Sequence, residues 1–194
     1  LGVVEGGTLP YRPEALAKRN ENRANRLKLD PEIKCYLPGV PRATYMPFPF
    51  QIIQSQKHNM LIHEYAGAVR TIYMTDQTEA PADSWMGWSN GRWEGESLVV
   101  DTKGFNDLSW FDRSGNFHSD ALHVVERFTP RSADTLNYEV TVEDPKVFTR
   151  PWKMSMPLYR QKSMDRILEY QCQAEAEEKS GAFERDPRTW FPGR

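Results

Sequence analysis

The four histidines fall into two pairs, His58 with His63 and His118 with His123, each pair five positions apart. Imidazole moves protons near neutral pH and is the commonest protein ligand of metal ions. On one strand a separation of five puts two rings on opposite faces, so a pair converges only if its first member stands on the preceding loop. Lys57-His58-Asn59 reads as a turn and His118 precedes Ser119-Asp120, which allows convergence in both cases. No dense ligand motif of the metalloprotease or zinc-finger sort accompanies them, which favours surface or hydrogen-bonded structural histidines over a metal site.

Acid–base chemistry needs less: one or two ionisable groups in a water-poor interior. Glu126 is the foremost carboxylate, because it shares a strand face with Leu122, Val124 and Phe128. Glu64 alternates with Met60 and Ile62 and is placed to meet Arg70 across the Ala66-Gly67-Ala68 turn. Each of these carboxylates can equally be half of a buried ion pair that holds the fold together. Asp112 and Asp144 stand on loops, where carboxylates commonly shape turns. The candidate catalytic set is therefore His118 or His123 with Glu126 or Asp112, and His63 with Glu64 beside it. Nucleophile elbow, phosphate-binding glycine loop and dinucleotide fingerprint are all missing from the sequence, so no organic cofactor is expected.

The elements that must carry these groups are strands. Runs such as Ser97-Leu98-Val99-Val100-Asp101-Thr102 and Leu136-Asn137-Tyr138-Glu139-Val140-Thr141-Val142 alternate with period two across turn residues. Strands are expected over Phe50–Gln56, Met60–Tyr65, Val69–Met74, Leu98–Gly104, Ala121–Thr129, Thr135–Glu143, Pro151–Arg160 and Arg166–Cys172, with Gly91 to Gly95 as a strand ending in a tight turn. About eight or nine strands suit an antiparallel up-and-down barrel whose interior holds one small ligand. Tyr65, Tyr73, Trp85, Trp88, Trp110 and Trp152 could line that interior for an apolar or aromatic molecule, or serve as core. The connection from Phe105 to Asp120 is long enough to be a lid or binding loop.

Length and composition set the frame. A chain of 194 residues fits one domain, divided here into an N-terminal arm (1–49), a β-barrel (50–172) and a tail (173–194). The arm carries one helix from Pro13 to Leu29, after which Pro38, Pro41, Pro47 and Pro49 break regular structure and lay the segment over the barrel. With 25 basic and 27 acidic side chains there is no field to attract nucleic acid. No apolar run approaches the roughly 20 residues that cross a bilayer. The chain shows no signal peptide and begins at Leu1, which reads as a processed or truncated N-terminus. Cys35 and Cys172 permit one bridge, or two buried thiols. The exposed Pro- and Trp-rich ends offer an assembly surface, for a homodimer through the charged arm.

One resemblance adds to this reading. The stretch Gly91-Arg92-Trp93-Glu94-Gly95-Glu96-Ser97-Leu98-Val99-Val100-Asp101-Thr102, continued by His118-Ser119-Asp120-Ala121-Leu122-His123-Val124-Val125-Glu126-Arg127-Phe128, resembles a large family of uncharacterised bacterial proteins. Pro47 to Gln54, Glu143-Asp144-Pro145 and Phe148 to Trp152 extend the likeness over most of residues 35 to 172. It implies a periplasmic or secreted protein and a calycin-like (lipocalin-like) barrel, and it brings no activity with it. An oxidising compartment favours a Cys35–Cys172 disulfide, which in the chain-entropy account is worth roughly 4–5 kcal/mol. The function expected from all this is a cofactor-independent acid–base enzyme (lyase, isomerase or hydrolase) acting on an apolar or aromatic molecule, with a non-catalytic extracytoplasmic carrier as the alternative.

Overall fold

The computed structural model describes residues 3–164 and 166–170. Most of its regular secondary structure is one mixed but largely antiparallel sheet, with strands β1 (Val3–Val4), β2 (Phe50–Gln54), β3 (His58–His63), β4 (Val69–Tyr73), β5 (Trp88–Glu94), β6 (Ser97–Lys103), β7 (His123–Ser132), β8 (Thr135–Glu143) and β9 (Trp152–Tyr159). Their order is β1-β9-β8-β7-β6-β5-β4-β3-β2. The sheet curls into a half-barrel whose edges, β2 on one side and β9 with the two-residue β1 on the other, are not hydrogen-bonded to each other. Full closure into a barrel is therefore corrected to an open seam.

The meander from β5 to β9 follows the alternation of the sequence. Pairing of Glu94 with Ser97 leaves a two-residue turn in which Gly95 takes φ +60° at the first position, a conformation that suits the twist of a hairpin. The register then aligns one buried file across the concave face, Thr102 beside Val124 beside Val142 and Val100 beside Glu126 beside Val140.

One pairing breaks the antiparallel pattern. Strands β4 and β5 run parallel and meet through two residue pairs, Ile72 with Ser89 and Tyr73 with Asn90. The cause is the 74–87 connection, which returns the chain before β5 begins; a parallel neighbour requires such a crossover. Gly91 has no side chain because a Cβ there would lie 2.5 Å from Ile72 Cγ2 and 2.7 Å from Met74 Sδ.

Arg70 spans this joint on the inside. From β4 its Nε donates to Ser89 Oγ on β5 (2.8 Å), and one terminal nitrogen donates to Thr102 Oγ1 on β6 (2.7 Å) and to the Glu126 carboxylate on β7. Tyr138 on β8 donates to the other carboxylate oxygen at 2.6 Å. The sequence paired Arg70 with Glu64; instead Glu64 lies beyond the end of β3, on the opposite side from buried His63, and accepts from Leu168 N at 3.1 Å. On the outer face Tyr73 stacks on Trp88 with ring centroids 4.4 Å apart, covering the same joint.

The open side of the half-barrel is filled from the N-terminal segment. Helix α1 (Pro13–Ala24) stops at Asn25 and is followed by the short α2 (Arg26–Leu29), so the expected single helix breaks in two. Asn22 Nδ2 donates to the Gly115 carbonyl and ties α1 to the 105–122 connection. The proline-rich stretch does not lie over the surface: Val40, Arg42, Ala43, Thr44 and Met46 are buried, with Arg42–Tyr45 forming the one-turn α3. The reason is packing, since an unclosed sheet must bury its concave face against something. Arg42 holds this segment in place through a bidentate pair with Asp30 (3.0 and 3.2 Å) and a contact with Glu32.

The 105–122 connection is not a free lid. Phe105, Trp110, Phe111, Phe117 and Leu122 are buried and cap one end of the half-barrel. The strand expected over Arg166–Cys172 is absent from Arg166–Tyr170, which has no strand structure. Cys172, the Cys35–Cys172 bridge and the 173–194 tail lie outside the described residues.

Glu126→Leu leaves the Arg70 charge buried without its partner and is expected to lower unfolding free energy by about 3–5 kcal/mol, whereas Arg70→Met with Glu126→Leu recovers most of that loss. Urea denaturation checks the ledger. Hydrogen exchange should show β2–β4 losing protection first in the single variant; equal loss across β5–β9 would contradict the role of the pair at the joint.

Candidate functional site

The sequence candidates scatter. His58 opens β3 on the outer face, where its ring meets Tyr73 edge-on at 5.3 Å, and His63 closes the same strand on the inner face. The five-residue spacing thus sets the rings on opposite faces. His123 starts β7 on the outer face, between Asp101 (3.0 Å) and Glu143 (3.5 Å), while Glu126 points inward from the same strand. Those two carboxylates approach different ring nitrogens, so the trio does not converge on one point. Among the described residues no group of three or more His, Cys, Asp or Glu is placed to hold a metal ion.

His118 is buried in the end cap, between the rings of Phe105 and Phe111. Its Nδ1 lies 2.9 Å from the Ser119 carbonyl, which can only accept, so the proton is assigned to Nδ1. Nε2 then accepts from Ser109 Oγ at 2.8 Å. Burial lowers the affinity of this ring for a second proton. Asp112 accepts from Ser114 N, Asn116 N and Asn116 Nδ2, and Asp144 from Ser119 N and Oγ; both shape the loops around the cap.

The aromatic candidates are structural in their surroundings. Tyr73 and Trp88 cover the β4–β5 joint. Tyr65 donates to the Glu32 carbonyl, Trp85 packs on Tyr36, and Trp110 pairs with Phe117. Trp152 meets Phe111 and Phe148 edge-on in the core.

The concave face itself is solid through its middle. Leu61, Ile72, Val100, Val124, Val140 and Met154 are each 2% exposed or less. At the seam the same face changes character: Phe50 and Ile52 of β2, register partners of the inner residues His63 and Leu61, are only half-buried. So are Leu136 and Leu158, which pair with each other on β8 and β9. Between the two edges lies a cavity of about 970 Å³ whose wall includes these four side chains and Thr44. No sequence candidate lines it. It was invisible to local pattern because it is made by the failure of β2 and β9 to pair.

Residues 160–164 and 166–170 run across this cavity. Arg160 N bonds the Asp134 carbonyl at 2.9 Å, and Met164 and Ile167 line the space. Leu168 N then bonds Glu64, and Tyr170 packs on Phe48 and Tyr65 at 5.0 Å from each. On the cavity wall, the buried Thr44 hydroxyl completes no hydrogen bond among the described residues. His63, 5.3 Å from the Phe50 ring, likewise has neither ring nitrogen hydrogen-bonded there.

Fold and site together define a class: a curled, mostly antiparallel sheet left open along one seam, with an apolar chamber in the opening. The chain matches no family model, no curated protein and no solved structure.

Burial, reinforced by the Arg70 charge, lowers His63 from its ordinary 6.5 to about 4. As pH falls below 6.5 the unfolded chain takes up this proton before the folded one does, so the stability present above 6.5 drains away down to about pH 4. The loss amounts to about 3 kcal/mol, and His118 adds to it in the same direction. In urea titrations His63→Leu should flatten the decline between pH 6.5 and 4; an unaltered slope would show that His63 is not buried in neutral form.

Proposed function

We propose that the protein binds a small apolar or aromatic molecule in the seam chamber and works as a binding or carrier protein. The observation that carries this is the change in burial along the inner face: its middle is sealed at Leu61, Ile72, Val100, Val124, Val140 and Met154, while Phe50, Ile52, Leu136 and Leu158 at the seam are only half-buried. Half-buried aliphatic and aromatic side chains around about 970 Å³ are what a drug-sized ligand would cover. The carrier reading gains over the enzyme reading because Glu126, the foremost general base, has one oxygen engaged by Arg70 and the other by Tyr138.

The acid–base enzyme reading draws on one separate observation, the buried His63 beside Phe50, held neutral by burial and by the Arg70 charge. It predicts that the molecule released from the His63→Gln variant differs chemically from that released by the unaltered protein. A periplasmic or secreted location, the Cys35–Cys172 bridge and the calycin-like kinship belong to the same proposal. They are supported by the sequence resemblance. Among the described residues no helix is long and apolar enough to cross a membrane.

The neutral fluorophore N-phenyl-1-naphthylamine should bind, and Ile52→Asn with Leu158→Asn should weaken it at least about tenfold through lost apolar contact. Circular dichroism and thermal midpoint control for folding. Equal affinity in the two proteins would place the fluorophore elsewhere and end the proposal.

A further inference from the structure

The charges at the mouth of the chamber are uneven. Arg160 and Arg166 line it, and among the described residues Asp134 is the acidic one on its wall. Asp134 is already engaged: Lys162 Nζ lies 2.6 Å from one oxygen and Arg160 Nε 3.9 Å from the other. Two cations, Arg160 and Lys162, thus share one carboxylate on a chain whose formal net charge is −2. The Arg160 and Lys162 side chains are 70% and 71% exposed, so their charged ends stand in water at the rim while the wall behind them is Leu158, Leu136 and Ile52.

An apolar wall ending in a cationic rim selects a molecule built the same way. From this we infer that the ligand is an anionic amphiphile, a chain or ring system of low polarity that carries a carboxylate or similar anionic head, with the head held at the rim by Arg160 and Lys162. The inference rests on the proposed binding role of the chamber and adds the polarity and orientation of what is bound. A guanidinium is suited to a carboxylate because its paired N–H groups match the two oxygens, and at 3.9 Å from Asp134 the Arg160 Nε has donor capacity to spare. The exposed rim makes the charge contribution modest and dependent on ionic strength.

Three ligands with the same ten-carbon tail separate head from tail: decanoate, decanol and decyltrimethylammonium, each used to displace N-phenyl-1-naphthylamine from the full chain. Decanoate should bind tightest and the cation weakest, with a gap of about tenfold at low salt that narrows in 0.5 M sodium chloride. Arg160→Gln with Lys162→Gln should cost decanoate about fivefold and leave decanol within about twofold. Both residues are exposed, so the variant is expected to fold as the parent does. Equal affinity for the three heads, or preference for the cation, would overturn the inference while leaving an apolar binding chamber intact. Failure of the fluorophore and of all three ligands to bind would instead remove the binding role on which it rests.

Discussion

The Arg70–Glu126 ion pair holds together two pieces of sheet that the backbone joins weakly. A two-pair parallel contact between β4 and β5 is slight compared with the five to nine pairs found at each junction from β5 to β9. One guanidinium that reaches from β4 over Ser89 and Thr102 to Glu126 converts that contact into a four-strand connection, and Tyr138 extends it to a fifth. The arrangement explains why so polar a cluster lies in the middle of an aliphatic face. Its members are hydrogen-bonded to one another, with Arg70 Nη1 left without a partner among the described residues, and their geometry holds the curvature of the sheet at this joint.

From that curvature follows the seam. With β2–β4 set at a definite angle to the meander, the inner face of β2 confronts the inner face of β8 and β9 without reaching hydrogen-bonding distance. The middle of the gap is filled by α3 and the residues around it, held by Arg42 and Asp30. The end is filled by the aromatic cap around His118. What remains is the chamber, bordered by Arg160, Met164 and Ile167 and bounded by side chains that would be core if the barrel had closed.

Much of the sheet was legible because period-two alternation reports which side chains turn inward, and His123 to Phe128 follow it residue by residue. Glu126 could be placed inside on the same ground, and its alternative role as half of a buried ion pair is the one the coordinates display. The partner was misassigned because Arg70 reaches across three strands, a distance that no local spacing encodes. Tyr73 and Trp88 were offered as ligand contacts or as core, yet their position on the outer face follows from parity with Arg70 and Ser89, a signal the sequence did contain. Val40 to Met46 was misjudged because proline content says where regular structure stops and says nothing about burial. The chamber could not be foreseen at all, since two edge strands that stay apart leave no mark on either strand.

A closed barrel has its bore dictated by strand number and stagger, so changing what fits inside means changing how every strand pairs. Here the corresponding dimension is set by a handful of side chains facing each other over the opening. Substitutions at Phe50, Ile52, Leu136 or Leu158 can therefore retune the girth of an acceptable guest one residue at a time, with the hydrogen-bonded framework left untouched.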